Sequence, residues 1–300
     1  MAKKSNGKPT SKSKRIEQEQ VVGPINFELD ASAETSNFES TISAVFGVPG
    51  VGKSKLAEEL GFALQEKYKL NNSGTYFLQC EWINHNWRIR KDMIGTWPTF
   101  REFVDKAEGN PEFVNTVKMW VIDTIDSLVP KGISTICHDL QVEELKEATI
   151  RVNDGWSAEG WQELRKELRY QILRLASLGP GVLILSHERY RDVRHQGMKV
   201  QKATMDLSNS IYNAIGNDCS MVLHMRLRDG EDKNGARCLA SLGSVDEDAK
   251  DNLGKIGPRY PRGIIPFTTE EEGVRKLMEC FDQPIKKVKK VKKKSKKSIK

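Results

Sequence analysis

The chain has 300 residues, with 48 Lys+Arg against 41 Asp+Glu, a formal net charge of +7, 38% hydrophobic and 30% charged residues. That length suits one or two ordinary domains and excludes a small fold stapled by disulfides. Residues 1–15 hold six basic residues and 286–300 hold ten, neither with an acid; without those sixteen the remainder carries 32 basic and 41 acidic residues, a net −9, so any argument from positive charge concerns two tails on an acidic body.

Taken in chain order, residues 1–24 are rich in Lys, Ser, Gly, Pro and Gln and read as a disordered basic lead-in. Order is expected from near Ile25, as one domain over 25–283 followed by a disordered Lys-rich tail over 284–300. From Thr41 short β-branched runs alternate with longer amphipathic segments, which predicts an α/β fold with a mostly parallel central sheet and flanking helices. The expected strands are 42–47, 75–80, 119–123, 181–186, 220–225 and 237–241. Leu56, Leu60, Ala63 and Leu64 at helical spacing predict a helix over 53–68. Trp161, Leu164, Leu168, Ile172 and Leu175 predict a second over 157–179, stopped by Gly179 and Pro180. A last helix is expected near 270–281. The stretches 82–117 and 129–156 exceed a minimal crossover, and Trp82, Trp87, Trp97 and Trp156 within them read either as a base-stacking surface or as the packing of a lid or subsidiary core.

Five cysteines, odd in number and without a C-x-x-C pair, indicate neither a disulfide framework nor a zinc knuckle and suit a reducing cytoplasm. No run approaches the roughly 18–20 apolar residues of a membrane span, and the basic N-terminus lacks the apolar region of a secretory signal. A soluble, cytoplasmic protein without a membrane partner is the expectation.

The strand 42–47 runs into GVPGVGKS and then directly into a helix, the strand-loop-helix setting that G-x-x-x-x-G-K-[ST] requires. Gly47, Gly50 and Gly52 let the backbone curl so that successive N–H groups point inward at phosphate oxygens, and Gly47, Val48, Pro49, Gly50, Val51, Gly52, Lys53, Ser54 and Lys55 are read as the segment that binds the nucleotide. ATP is the expected ligand, with Lys53 on the β- and γ-phosphates and the Ser54 hydroxyl on Mg²⁺. Four apolar residues then lead to Asp123, read as the metal-ordering acid, with a helix cap as the other reading; Asp126 is expected to be the cap. Glu81, past the strand that follows the phosphate-loop helix, is either the acid that activates water or an exposed loop glutamate. His187, at the end of 181–186, is either a sensor of the γ-phosphate or a loop histidine.

GVPGVGKS, FLQCE, MWVIDTIDSL, NDGWSAEGWQELRKEL, GVLILSHE and DAKDNLGKIG together resemble the RecA-like P-loop ATPases of bacteriophages, described broadly as AAA or ATP-binding proteins, over roughly residues 41–265. The resemblance implies a RecA-like fold, action on single-stranded DNA in phage recombination or replication, an oligomer with sites between subunits, and a host-cell cytoplasmic setting. It implies the water-activating role for Glu81 and the switch role for His187, and it puts Lys250 where a neighbouring subunit supplies a cation. Asn252 replaces the arginine frequent in that segment, so Lys250, Lys255 and Arg259 all remain candidates beside a plain solvated basic loop.

The Lys-rich tail has no aromatic residue, so it can neutralise phosphates but not stack bases; it reads as a weak, salt-sensitive nucleic-acid arm or as a solvated charge run. The leading expectation is an Mg²⁺-dependent ATPase acting on single-stranded DNA. Its rivals are a P-loop phosphotransferase, with Arg189, Arg191 and Arg194 as a lid, and a non-hydrolysing ATP-binding accessory or loader protein.

Overall fold

The computed structural model describes residues 37–82, 89–152, 155–228, 236–244 and 246–282. The expected lead-in 1–24, the start near Ile25, Trp87, the Trp156 side chain and the tail 284–300 lie outside what is described.

In chain order the main elements are β1 (Ile42–Gly47), α1 (Lys53–Tyr68), β2 (Thr75–Gln79), β3 (Arg90–Met93), α2 (Trp97–Glu108), α3 (Pro111–Asn115), β4 (Met119–Asp123) and α4 (Ile125–Leu140). There follow β5 (Thr149–Val152), β6 (Gly155–Ala158), α5 (Glu159–Ser177), β7 (Gly181–His195), β8 (Met198–Met205), α6 (Asn209–Gly216) and β9 (Met221–Leu227). The last are β10 (Arg237–Ala240), β11 (Lys250–Asp251), β12 (Ile264–Phe267) and α7 (Glu270–Asp282).

The sheet runs β12-β10-β9-β1-β7-β4-β2-β3. From β9 to β3 every pairing is parallel, while β10, β11, β12 and β8 join antiparallel. The central strands are largely apolar because both faces are covered, and side-chain alternation splits them between two cores. Ala44, Phe46, Trp120, Ile122, Val182 and Ile184 face one side, with α2, α4 and α5. Val45, Met119, Val121, Leu183 and Leu185 face the other, where Leu56, Leu60 and Leu64 of α1 and Val274 and Leu277 of α7 close the layer. The result is the expected α/β architecture.

One open choice closes and two expectations change. Trp97 is fully buried together with Phe100 and Trp120, so the long insert contributes to a main core layer and Trp97 is no part of a base-stacking surface, whereas Trp82 is 88% exposed. The fourth core strand does not stop at Ser186: β7 continues to His195 and returns as β8 in full register. The two-residue turn at Gln196 and Gly197 has φ of 49° and 81°, the geometry that fits strand twist in a tight hairpin. The charges of 188–202 lie on both faces of these two strands, so the segment carries no apolar run that would mark it as a hairpin. Finally, the long helix opens at Glu159, because residues 155–158 pair in β6.

Candidate functional site

At the carboxyl edge of the sheet β1 ends in Gly47, where a Cβ would stand 2.2 Å from the Met225 carbonyl oxygen, so only glycine fits. Gly50 and Gly52 have φ of 78° and 105°, the left-handed region that favours glycine. Val48, Pro49 and Gly50 are exposed at the loop's crest, while Val51 is buried beneath it. The loop runs into the N-terminus of α1, whose first N–H groups and dipole favour an anion. Lys53 is 5% exposed, and its Nζ donates to the carbonyls of Gly47 (2.8 Å) and Val48 (3.1 Å). Burial lowers its pKa, opposed by the nearby carboxylates of Asp126, Asp123, Glu81 and Glu188. The Lys55 side chain is turned along α1 to Glu58 and Glu59.

The loop is also held from outside by a residue that no sequence motif marks. Arg237 of β10 donates from Nη1 to the Val51 carbonyl (3.1 Å) and to the Glu270 carboxylate, and from Nη2 to the Thr268 carbonyl (3.3 Å). A Cβ on Gly52 would lie 2.6 Å from both Arg237 and Glu270, so the glycine also makes room for this clamp.

Asp123 closes β4 at 2% exposure, with the Ser54 side chain beside it. Burial pushes its pKa up to about 6, and the Glu81 charge adds to the rise, while Ser54, Lys53 and His187 pull it down. Its Oδ1 is buried without a hydrogen-bond partner. An orphaned carboxylate oxygen beside a hydroxyl in the first turn of α1 suits a hard, oxygen-seeking cation, so Ser54 and Asp123 fit Mg²⁺.

Glu81 lies two residues beyond β2. Its Oε1 accepts from Thr124 Oγ1 (2.5 Å) and Ser127 Oγ (2.7 Å). His187 pairs in register with Gly47, which seats it beside the phosphate loop. Asp126 is not the expected helix cap. The capping position is Thr124, and the Asp126 carboxylate instead reaches across to His187, accepting its backbone N–H (2.9 Å) and meeting its Nδ1 (2.6 Å). The ligand atoms of Glu81, Asp126 and His187 lie within 4.8 Å of one another. Glu81, Lys53, His187, Ser54 and Asp123 thus come together at one sheet edge, with Asp126 in a role other than the expected cap and with Thr124 and Ser127 as partners that no sequence signal marked.

On the other side of β1, His224 is buried, stacked on Phe46 at 4.5 Å, with its ring nitrogens 2.8 Å from Glu188 and Glu247. Arg191, one of three arginines in the expected lid segment, is bound to Asp248 and Asn209. Lys250 sits beside Val222, toward the start of β1, and Arg259 is paired with Glu279 of α7. No helix among the described residues is long and apolar enough to cross a membrane.

The family model described as "AAA domain" matches residues 40–253, well over half of the chain. No curated protein matches it.

Proposed function

The chain belongs to the AAA-domain family of P-loop ATPases, and on that premise we propose that it is an Mg²⁺-dependent ATPase acting on single-stranded DNA in recombination or replication of the bacteriophage type. The observation that carries the reading is the convergence of Lys53, Ser54 and Asp123 with Glu81 and His187 at the carboxyl edge of β1, β4 and β7. In this account the loop amides of 47–55 and Lys53 hold the ATP phosphates, and Ser54 and Asp123 hold Mg²⁺, which would neutralise charge on the transferred phosphoryl group. Glu81 draws a proton from the attacking water, and Thr124 and Ser127 fix its carboxylate in place.

His187 is the base of the β7–β8 hairpin, so a group that senses the γ-phosphate is continuous with a projecting basic ribbon. Tyr190 and Arg194 are exposed on it, an aromatic plane and a cation of the kind that single strands use. The ordered domain is assigned to 25–283, and the flanking basic tails to weak phosphate contacts that attract DNA without reading sequence. A homo-oligomer in which Lys250, Lys255 or Arg259 serves a neighbouring subunit completes the proposal, with phage recombination or replication proteins as further partners in a host cytoplasm.

Fluorescence anisotropy of a labelled single strand, with and without Mg-ATP, tests the DNA half of this reading. Affinity that rises with Mg-ATP and drops about tenfold in Tyr190→Ala/Arg194→Ala supports it. Binding that ignores both nucleotide and hairpin removes the hairpin as the DNA-facing element.

A further inference from the structure

α1 and α7 lie side by side on one face of the sheet, and a groove of about 530 Å³ runs between them. Phe62, Val274 and Met278 give it an apolar floor. Along its rim stand five carboxylates, of which Glu59 is paired with Lys55, Glu279 with Arg259 and Arg275, and Asp282 with Lys67 at 3.6 Å, while Glu66, Glu271 and Asp282 are exposed. Asp282 is both a wall of the groove and the last residue of α7. The chain that leaves this point reads QPIKKVKKVKKKSKKSIK, with ten lysines and no acid. Ile285, Val288 and Val291 recur every third residue within it, a spacing that a threefold extended chain presents along one side.

We propose that this groove is the docking site of the chain's own residues 284–300, bound in cis. Apolar side chains at a spacing of three meet the Phe62, Val274 and Met278 floor, while the lysines meet the carboxylate rim. Reach does not limit it: α7 is about 20 Å long at 1.5 Å per residue, whereas the eighteen residues beyond it span up to about 60 Å when extended. Surface ion pairs of this kind are individually weak and screened by salt, so the apolar floor sets the register and the charge sets the strength. Docking occupies the lysines with protein carboxylates. If the DNA reading above is right, the groove and the DNA phosphates compete for them; the docking itself does not depend on that reading.

Zero-length carbodiimide cross-linking of the full chain, at low salt and low micromolar concentration, reads the site directly. The expected map places links from lysines of 286–297 on Glu66, Glu271 or Asp282 within a single chain. Those links fall about tenfold in Glu66→Lys/Glu271→Lys, where like charges face one another. Two outcomes overturn the proposal: tail links spread evenly onto exposed carboxylates elsewhere, such as Glu112 and Glu143, or links found only between two copies. The wild-type map decides between these outcomes even if the charge-reversed variant does not fold.

Discussion

Asp126 grips His187 at two points, the backbone N–H at 2.9 Å and the ring Nδ1 at 2.6 Å, and so ties the first turn of α4 to the strand end beside Gly47. Beside the direct β4–β7 pairing, this contact adds a side-chain link between the segment that follows Asp123 and the proposed γ-phosphate sensor. Asp126→Ala removes both contacts and is expected to lower turnover about tenfold or more, as losing an orienting partner generally does, while Mg-ATP affinity stays within a few-fold. Asp126→Asn keeps an acceptor for the backbone N–H and should restore part of the rate. Steady-state phosphate release and equilibrium nucleotide binding separate the two effects; unchanged turnover in the alanine variant would leave the grip purely structural.

Glu81→Gln keeps the shape of the side chain and its contacts with Thr124 and Ser127 but not its basicity. Turnover should fall by about two to four orders of magnitude with nucleotide binding retained. Because the Glu81 charge helps to raise the Asp123 pKa, the same variant should let Mg²⁺ bind at slightly lower pH. Single-turnover hydrolysis alongside an Mg²⁺ titration measures both, and a wild-type rate in the variant removes Glu81 from the chemistry.

The Asp123 carboxyl gives a pH dependence with a definite sign. Its native pKa of about 6 stands above the ordinary value of 3.8, so the folded chain holds this proton more tightly than the unfolded chain does. The contribution to stability therefore falls as pH rises from about 4 to 6 and levels off above, where the buried charge costs on the order of a few kcal/mol. Asp123→Asn should raise the melting temperature of the nucleotide-free chain at pH 8 by several degrees, with the gain shrinking toward pH 4. The same substitution should abolish Mg²⁺-dependent nucleotide binding, and in the wild type that binding should weaken as pH drops through about 6. Melting curves at pH 4, 6 and 8 check the sign.

Arg237 supports the phosphate loop through the Val51 carbonyl and Glu270. Arg237→Ala leaves both without their donor, a loss of about 1–3 kcal/mol for half-buried polar groups. Calorimetric binding should show weaker ATP affinity, with the rate at saturation much less affected. Arg237→Lys should not restore affinity, because a single ammonium cannot serve Val51, Glu270 and Thr268 together.

Much of this was legible from the residues because each signal was local. The phosphate loop needs glycines at 47, 50 and 52 and a lysine at 53, all within one strand-loop-helix unit, and the acid after MWVI marks a buried strand end. What escaped was held together by distant pairing. Asp126 reads as a helix cap from its neighbours alone, and only the parallel register of β4 and β7 brings His187 within its reach. Arg237 meets Val51 across 186 positions of sequence, through an antiparallel strand added beyond β9. The hairpin of β7 and β8 was hidden because its strands carry charge on both faces in place of an apolar run. For Trp97 the packing reading holds over the base-stacking one, and the residues alone left the choice open because its burial depends on α4 and α5 packing over α2.

Steady-state phosphate release from Mg-ATP by the wild-type chain and Lys53→Ala, each with and without single-stranded DNA, tests the phosphate site and its coupling to DNA together. Turnover is expected to require Lys53 and to rise when the single strand is added. Turnover that needs Lys53 but ignores DNA would contradict the DNA-coupled role, and release unaffected by Lys53→Ala would contradict the phosphate site itself.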